Sequence, residues 1–267
     1  MLCVCENSST KISVYMRIAG GQNIFVPILQ VYNDVTERKK DIMKYRKALT
    51  FSYDDGIEQD RKLVEIFNRY GMKATFNLNT GIQSPESNFE IEGVHINRMK
   101  QDGLAELYKG HEIATHGLTH AAPTDMTKEE LDKEFITDMK NIEKIYGTYP
   151  VGMAYAYGCV NDTVAEYLKS IGIKYGRTVE SSHSFEIPKE PIKLKATCHH
   201  DDEMLFELAE KFIKAEPKED EPMLFYVWGH SYEFDVNNNW DRIEKFCKMM
   251  AGRDDIFYGT NRECLVD

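Results

Sequence analysis

Three short runs in this chain carry side-chain types suited to hydrolytic chemistry. In Thr50-Phe51-Ser52-Tyr53-Asp54-Asp55-Gly56 two adjacent carboxylates end a strand-like run, and a glycine lets the chain turn sharply. Consecutive residues leave a strand in different directions, so one carboxylate can bind a metal while the other stands beside a water on that metal. The same run also reads as an ordinary Asp-Asp-Gly turn before a helix. In His116-Gly117-Leu118-Thr119-His120 two imidazoles lie four residues apart, a spacing that turns both rings toward one ion if the segment makes a helical turn. In Phe225-Tyr226-Val227-Trp228-Gly229-His230-Ser231-Tyr232-Glu233 an apolar strand delivers His230 at its end, where it is a candidate general acid.

Elements of one kind must position these runs. From Lys47 onward short apolar runs alternate with longer amphipathic ones, the phasing of repeated βα units. About seven strands are expected, at Ala48–Tyr53, Ala74–Asn79, Glu112–Thr115, Gly152–Tyr155, Lys174–Arg177, Leu224–Trp228 and Ile256–Tyr258. Helices are expected at Glu58–Tyr70, Arg98–Lys109, Lys128–Tyr146, Asn161–Ile171, Glu203–Lys214 and Asp241–Met250, with Thr127 and Glu130 spaced as a capping box. Each chemical run then falls at a strand end, and in α/β barrels the C-terminal strand ends form the active face. The first 46 residues differ: Ile12–Ile18 and Ile24–Val31 read as strands around Gly20-Gly21, followed by the charged stretch Glu37–Asp41. We read 1–46 as a small β appendage and linker, and 47–267 as the barrel.

Taken together and in this order, the three runs resemble the polysaccharide deacetylase family, the NodB-homology group of carbohydrate esterases. Its motifs run Thr-Phe-Asp-Asp-Gly, His-Thr/Ser-x-x-His, Arg-x-Pro-Tyr and a late Leu-x-His. The resemblance covers about Ala48 to Tyr258. It implies a distorted (β/α) barrel with Asp55, His116 and His120 as metal ligands and Asp54 as the base that takes a proton from the attacking water. His230 would protonate the departing amine or alkoxide, and backbone N–H near Tyr157 would help hold the oxyanion. The implied reaction is removal of an acetyl group, N- or O-linked, from a carbohydrate. Zinc is the first candidate metal, with Co, Ni, Mn or Fe compatible with the same ligand types.

The chain also departs from the family pattern. Ala154-Tyr155-Ala156-Tyr157-Gly158 stands in place of the third motif, so the tyrosine remains while alanines replace the arginine and proline. Arg177 could supply the missing positive charge near Asp54 from a neighbouring strand end. The Asp-Trp element that tunes the late histidine cannot be placed. Thr197-Cys198-His199-His200-Asp201-Asp202 occupies that region, with His199 or His200 expected close behind the site or against substrate. Tyr232 and Trp240, after His230, are expected to meet substrate, Trp228 to be core, and His95 and His111 to be structural.

Composition narrows the partners. A formal net charge of −11 and a pI near 5.3 argue against a sequence-independent nucleic-acid binder and favour a neutral substrate such as an acylated sugar. No apolar run approaches the ~20 residues of a membrane helix. Met1–Asn7 lacks the basic and apolar regions of a signal peptide, so the chain as given reads as cytoplasmic, though a removed leader would leave the same evidence. The six cysteines are scattered and are expected to be reduced thiols, and Cys3-x-Cys5 lacks the second pair of a zinc knuckle. Competing functions are another C–N hydrolase acting on a small metabolite, a non-haem iron oxygenase, which the βα phasing opposes, and an inactive carbohydrate-binding relative. Oligomeric state and sugar identity have no sequence signal.

Overall fold

The computed structural model describes residues 13–17, 23–27, 45–101, 103–218 and 220–267. Strands β1 (Ser13–Arg17) and β2 (Asn23–Pro27) pair antiparallel in a sheet of their own, with Val14 opposite Val26. The expected linker at Glu37–Asp41, and Cys3 and Cys5, lie outside the described residues.

The main sheet is built around β3 (Lys47–Asp54), and its two-residue period sets up the rest. Leu49, Phe51 and Tyr53 enter a core cluster with the surrounding helices, while Ala48 belongs to a separate cluster with Leu224, Tyr226 and Trp228. The alternate residues Thr50, Ser52 and Asp54 bond instead to Asn261, to Asn77 and Arg177, and to Arg177 respectively. The face of β3 turned into the barrel is therefore small and polar, and it ends on a carboxylate.

Beyond β3 come α1 (Asp60–Tyr70), β4 (Ala74–Leu78) and a hairpin of β5 (Phe89–Ile91) and β6 (Val94–Ile96). Next are α2 (Leu104–Leu107), β7 (Glu112–Thr115), α3 (Lys128–Leu131) and α4 (Thr137–Tyr146), the last two joined by a π-helical turn at Asp132–Ile136. Then follow β8 (Gly152–Ala154), α5 (Asp162–Ser170), β9 (Tyr175–Ser181), β10 (Leu194–Ala196) and β11 (Cys198–His199). The chain ends with α6 (Leu205–Lys214), β12 (Met223–Gly229), α7 (Glu233–Val236), α8 (Trp240–Met250), β13 (Phe257–Tyr258) and α9 (Asn261–Leu265).

The strands are parallel, in the order β10-β9-β8-β7-β4-β3-β12-β11, and β13 adds to the start of β3. The two edges of that path are β10 and β11, which Thr197 alone separates. The Thr197 N–H donates to Tyr226 O (2.8 Å), and its carbonyl accepts from His183 N–H (2.9 Å). A single extended run thus passes hydrogen bonds from the β9 side to β12 and closes the sheet into a distorted barrel. The β10–β11 run is not among the expected strands; it closes the sheet with the other six, while the expected strand at Ile256–Tyr258 is β13, beside the start of β3.

The capping box at Thr127 and Glu130 forms, and Gly71 and Gly147 end α1 and α4 in left-handed backbone. The helix expected over Arg98–Lys109 shrinks to Leu104–Leu107 because its start is used elsewhere: Arg98 bridges Ile57, and Met99 N–H donates to Gly56 O (3.0 Å). The β5–β6 hairpin has no counterpart among the expected strands. Cys159, Cys198, Cys247 and Cys264 are free thiols, and no helix among the described residues is long and apolar enough to cross a membrane.

Candidate metal centre

The inward series of β3 ends at Asp54, and the next residue reverses direction. Asp55 has a φ of 81°, a left-handed conformation that a non-glycine residue adopts only when its surroundings hold it there. Its N–H donates to Asn77 O (3.0 Å), and its carbonyl accepts from Gln83 Nε2 and Arg98 Nη1, both at 2.8 Å. Arg98 Nη2 also lies 3.3 Å from Asp55 Oδ1. Gly56 follows at φ 62°, where a Cβ would fall 2.7 Å from Gln83 Nε2, so the turn requires glycine on two counts.

The histidine pair is delivered differently from the sequence expectation. Residues 116–120 do not form a helical turn: Gly117 has φ 81° and His120 φ 59°. The loop is folded around two side chains from neighbouring elements. Asn79 Nδ2 donates to the carbonyls of His116 (2.7 Å) and Gly117 (2.8 Å), and Glu134 accepts from the backbone and hydroxyl of Thr119, each at 2.8 Å. His116 Nδ1 lies 2.8 Å from Ala154 O, and a carbonyl only accepts, so that nitrogen carries the proton and Nε2 presents its lone pair. Ligand atoms from Asp55, His116 and His120 all lie within 4.8 Å of one another. Burial, then the neighbouring His116, pushes His120 down to about 4, which leaves it neutral and able to donate a lone pair.

Asp54 stands beside this trio. Its Oδ1 accepts from Asn77 Nδ2 (2.8 Å), and its Oδ2 is paired with Arg177 Nη2, 3.9 Å from His116 Nε2 and 3.8 Å from His230 Nε2. Burial alone would raise this carboxyl, but Arg177, His116 and His230 outweigh it and bring Asp54 down to about 2. Arg177 is fully buried and reaches across the barrel from β9. It donates to Ser52 Oγ and Thr178 O (both 3.2 Å), and its guanidinium sits 4.3 Å from the centre of the Trp228 ring. A guanidinium thus stands beside Asp54, and it comes from Arg177 on β9.

His230 faces Asp54 with Nε2 and Glu233 with Nδ1, the latter 3.3 Å from Glu233 Oε1 and off the ideal hydrogen-bond direction. Glu233 Oε2 accepts from the His230 backbone N–H (2.8 Å) and from His199 Nε2 (3.1 Å), and lies 3.4 Å from His200 Nε2. Burial works against a charge on His230, yet Glu233, with Asp54 and Asp55 nearby, pushes it up to about 9. Glu233 itself is held well below the usual carboxylate range: burial would raise it, but His199 and His230 prevail. His199, His200 and Glu233 also have metal-ligand types within reach of one another. However, His199 Nδ1 accepts from Asp201 N–H (3.2 Å), so its proton sits on Nε2 and points at Glu233. Glu233 and His199 thus form a hydrogen-bonded pair behind His230, while His200 is bonded through Nδ1 to Tyr53 Oη (3.2 Å).

Over these groups lies a cleft of about 360 Å³ at the C-terminal ends of the strands. Tyr157 and Tyr232 line it as expected, and so do Phe89, Arg98 and Trp228. Trp240 does not line it: its indole packs on Phe234 (4.8 Å) and donates to Asp235 Oδ1 (2.6 Å). Trp228 is in the core as expected, buried with Leu224 and Tyr226, and it also lines the cleft floor beneath Arg177. His95 and His111 lie elsewhere, His95 beside Glu90 and His111 against Phe76. Glu233 had a sequence signal, a carboxylate three residues after the strand-end histidine. Arg98 and Phe89 had none. A larger hollow, about 590 Å³, sits at the opposite strand ends, where its half-buried acid Glu112 is already bonded to Thr75, Tyr175 and the Arg262 backbone.

A family model described as polysaccharide deacetylase matches residues 42–176, which include Asp54, Asp55, His116, His120 and Tyr157. Among curated proteins, none matches the chain in sequence. Among solved structures, the chitin deacetylase of the fungal pathogen Colletotrichum lindemuthianum is 16% identical with a TM-score of 0.54, over 82% of this chain and 88% of that one. Puue allantoinase is 10% identical with a TM-score of 0.59, over 82% of this chain and 89% of the other. The Streptococcus pyogenes deacetylase PplD is 20% identical with a TM-score of 0.42; the match takes in 49% of this chain and 55% of PplD. At these identities the two better superpositions speak to the fold alone, a NodB-type (β/α) barrel.

Proposed function

This chain belongs to the polysaccharide deacetylase family, and on that footing we propose that it is a hydrolase that removes an acetyl group, N- or O-linked, from a carbohydrate. The observation that carries the reading is the convergence of Asp55, His116 and His120, with Asp54 and His230, 3.8 Å from each other, beside them in one cleft.

The donor set suits a divalent cation, with zinc first and Co, Ni, Mn or Fe compatible. Two imidazoles and a carboxylate form a three-ligand catalytic set, and the His116 bond to Ala154 O fixes one lone pair outward. Asp55, His116 and His120 would hold the ion, which when bound polarises the acyl carbonyl and lowers the pKa of water. Asp54 takes the proton from the attacking water. Arg177 and Asn77 hold both of its oxygens, so the carboxylate stays ionised and correctly turned. His230, kept protonated by Glu233, gives a proton from Nε2 to the departing nitrogen or oxygen as the acyl bond breaks. Acetate and a free amine or hydroxyl leave. Tyr157 and Tyr232 offer aromatic faces to the apolar side of a sugar ring.

The test is elemental analysis of the purified chain combined with acetate release from chitooligosaccharides, comparing the native sequence with Asp54→Asn. Native turnover, lost in the variant while bound metal is retained, supports the reading. A metal-loaded native chain that releases no acetate from any acetylated sugar removes it.

A further inference from the structure

We propose that the cleft accepts the acetylated residue at the end of a short saccharide, or a free acetamido sugar, and does not act on residues in the interior of a polymer. This inference rests on the deacetylase reading above and specifies its substrate.

The argument begins with strand order. β3, which carries Asp54 and Asp55, is flanked by β4 on one side and β12 on the other. The segments that follow those two strands rise on either side of the Asp55 turn, and they meet above it. The Phe89 ring, from the hairpin after β4, contacts the Tyr232 ring, after β12, edge to face at 5.7 Å and 89°. Beneath this contact the same wall is tied at three levels. Arg98 lies under Phe89 (5.5 Å) and bonds the Asp55 carbonyl. Gln59 donates to Asp235 (2.9 Å), and Ser231 donates to the buried Asp60 (2.6 Å). Extended pairing of Ile57 with Arg98 and of Glu58 with Asn97 ties the hairpin to the turn. This wall stands in the path of a saccharide chain leaving on this side.

The opposite rim is open and apolar. Three large hydrophobic side chains are exposed among the described residues, and two of them, Tyr157 (67% exposed) and Val179 (43%), border this cleft. Tyr157 is held edge-on to His120 at 4.6 Å, so its ring stands at the entrance beside a candidate ligand. An aromatic lip there suits the face of a second sugar ring entering from solvent. A volume of about 360 Å³ lies at the small end of ligand sites, which span roughly 300–1,000 Å³. It has room for one ring with its acyl group. An interior residue needs two exits, one for each neighbour, and the Phe89–Tyr232 wall stands where one of them would be.

The experiment follows acetate release from N-acetylglucosamine and its oligomers of increasing length, with the reducing end isotopically labelled and the deacetylated position read by fragmentation mass spectrometry. The expected result is release from the monomer or from one terminal residue at every length, while interior residues stay acetylated. Phe89→Ala lowers the wall, and interior residues then begin to lose acetate. Interior deacetylation by the native chain, in the same pattern as Phe89→Ala, overturns the inference while leaving the deacetylase reading intact. No release at any length overturns the deacetylase reading, and the inference falls with it.

Discussion

Replacing Arg177 with methionine keeps most of the apolar volume above Trp228 and removes the guanidinium. The side chain is fully buried, as is Asp54 at 2% exposure, so water cannot replace what is lost. The variant forfeits the ion pair with Asp54 and the bonds to Ser52 Oγ and Thr178 O, and it leaves the buried carboxylate with only the more distant His230, at 3.8 Å, as a cation. Breaking a buried pair in this way costs about 3–5 kcal/mol, a large part of the roughly 5–15 kcal/mol that stabilises a typical domain. Arg177→Lys restores a charge but not the fork that reaches three partners, so it recovers only part of the loss. Urea unfolding reads the stability, and acetate release reads the activity, expected to fall about 10²–10⁴-fold as the base loses its orientation. A double-mutant cycle isolates the cause. In the Asp54→Asn background Arg177 is itself an unpaired buried cation, and removing it there should cost little or even stabilise. If Arg177→Met lowers stability equally in both backgrounds, the pairing is not what holds this part of the barrel together, and the reasoning fails.

Three further outcomes follow from the same geometry. Glu233→Gln weakens the hold on His230, so hydrolysis of an acetamido sugar, whose amine must be protonated to leave, should fall far more than that of an aryl acetate; an equal loss on both substrates points to a structural role only. Asp60, buried against Ser231 and Tyr108, is raised by burial from 3.8 to about 7, so the folded state keeps a proton that the unfolded chain releases. Its contribution is complete below about pH 4 and lost as pH rises through 7, by about 4 kcal/mol. Asp60→Asn should therefore gain stability relative to the native chain between about pH 5 and pH 8, and a constant difference in urea midpoint across that range would contradict this. A Cβ on Gly152 would stand 1.8 Å from the Tyr175 ring, between neighbouring strands β8 and β9, so Gly152→Ala should cost about 1–3 kcal/mol by overpacking, and an unshifted melting temperature would count against the tight contact.

Much of this protein is legible without coordinates because its signals are local. The period of β3 writes Thr50, Ser52 and Asp54 onto one face and Leu49, Phe51 and Tyr53 onto the other, and any window of eight residues contains that information. The βα phasing, the capping box at Thr127 and the helix-ending glycines are equally short-range. They place Asp54, Asp55, His116, His120 and His230 at strand ends on one face of a barrel. The sequence also contains the candidate charge for Asp54 in Arg177, since the gap left by the alanines of 154–158 asks for one.

Tertiary structure decided what crosses between distant elements. The His116–His120 loop is shaped by Asn79 and Glu134 and not by a helical turn, which its four-residue spacing could not reveal. Arg98 left its expected helix to brace Asp55, Phe89 came in on an unexpected hairpin, and Trp240 turned away from the cleft. His199 meets Glu233, which bonds the His230 backbone, only because Thr197 carries one extended run from β9 to β12 and closes the barrel. The physical reason is common to all of these. Strand order and closure are fixed by the summed burial and hydrogen bonding of the whole sheet, so partners far apart in sequence meet only once that sheet has chosen its neighbours.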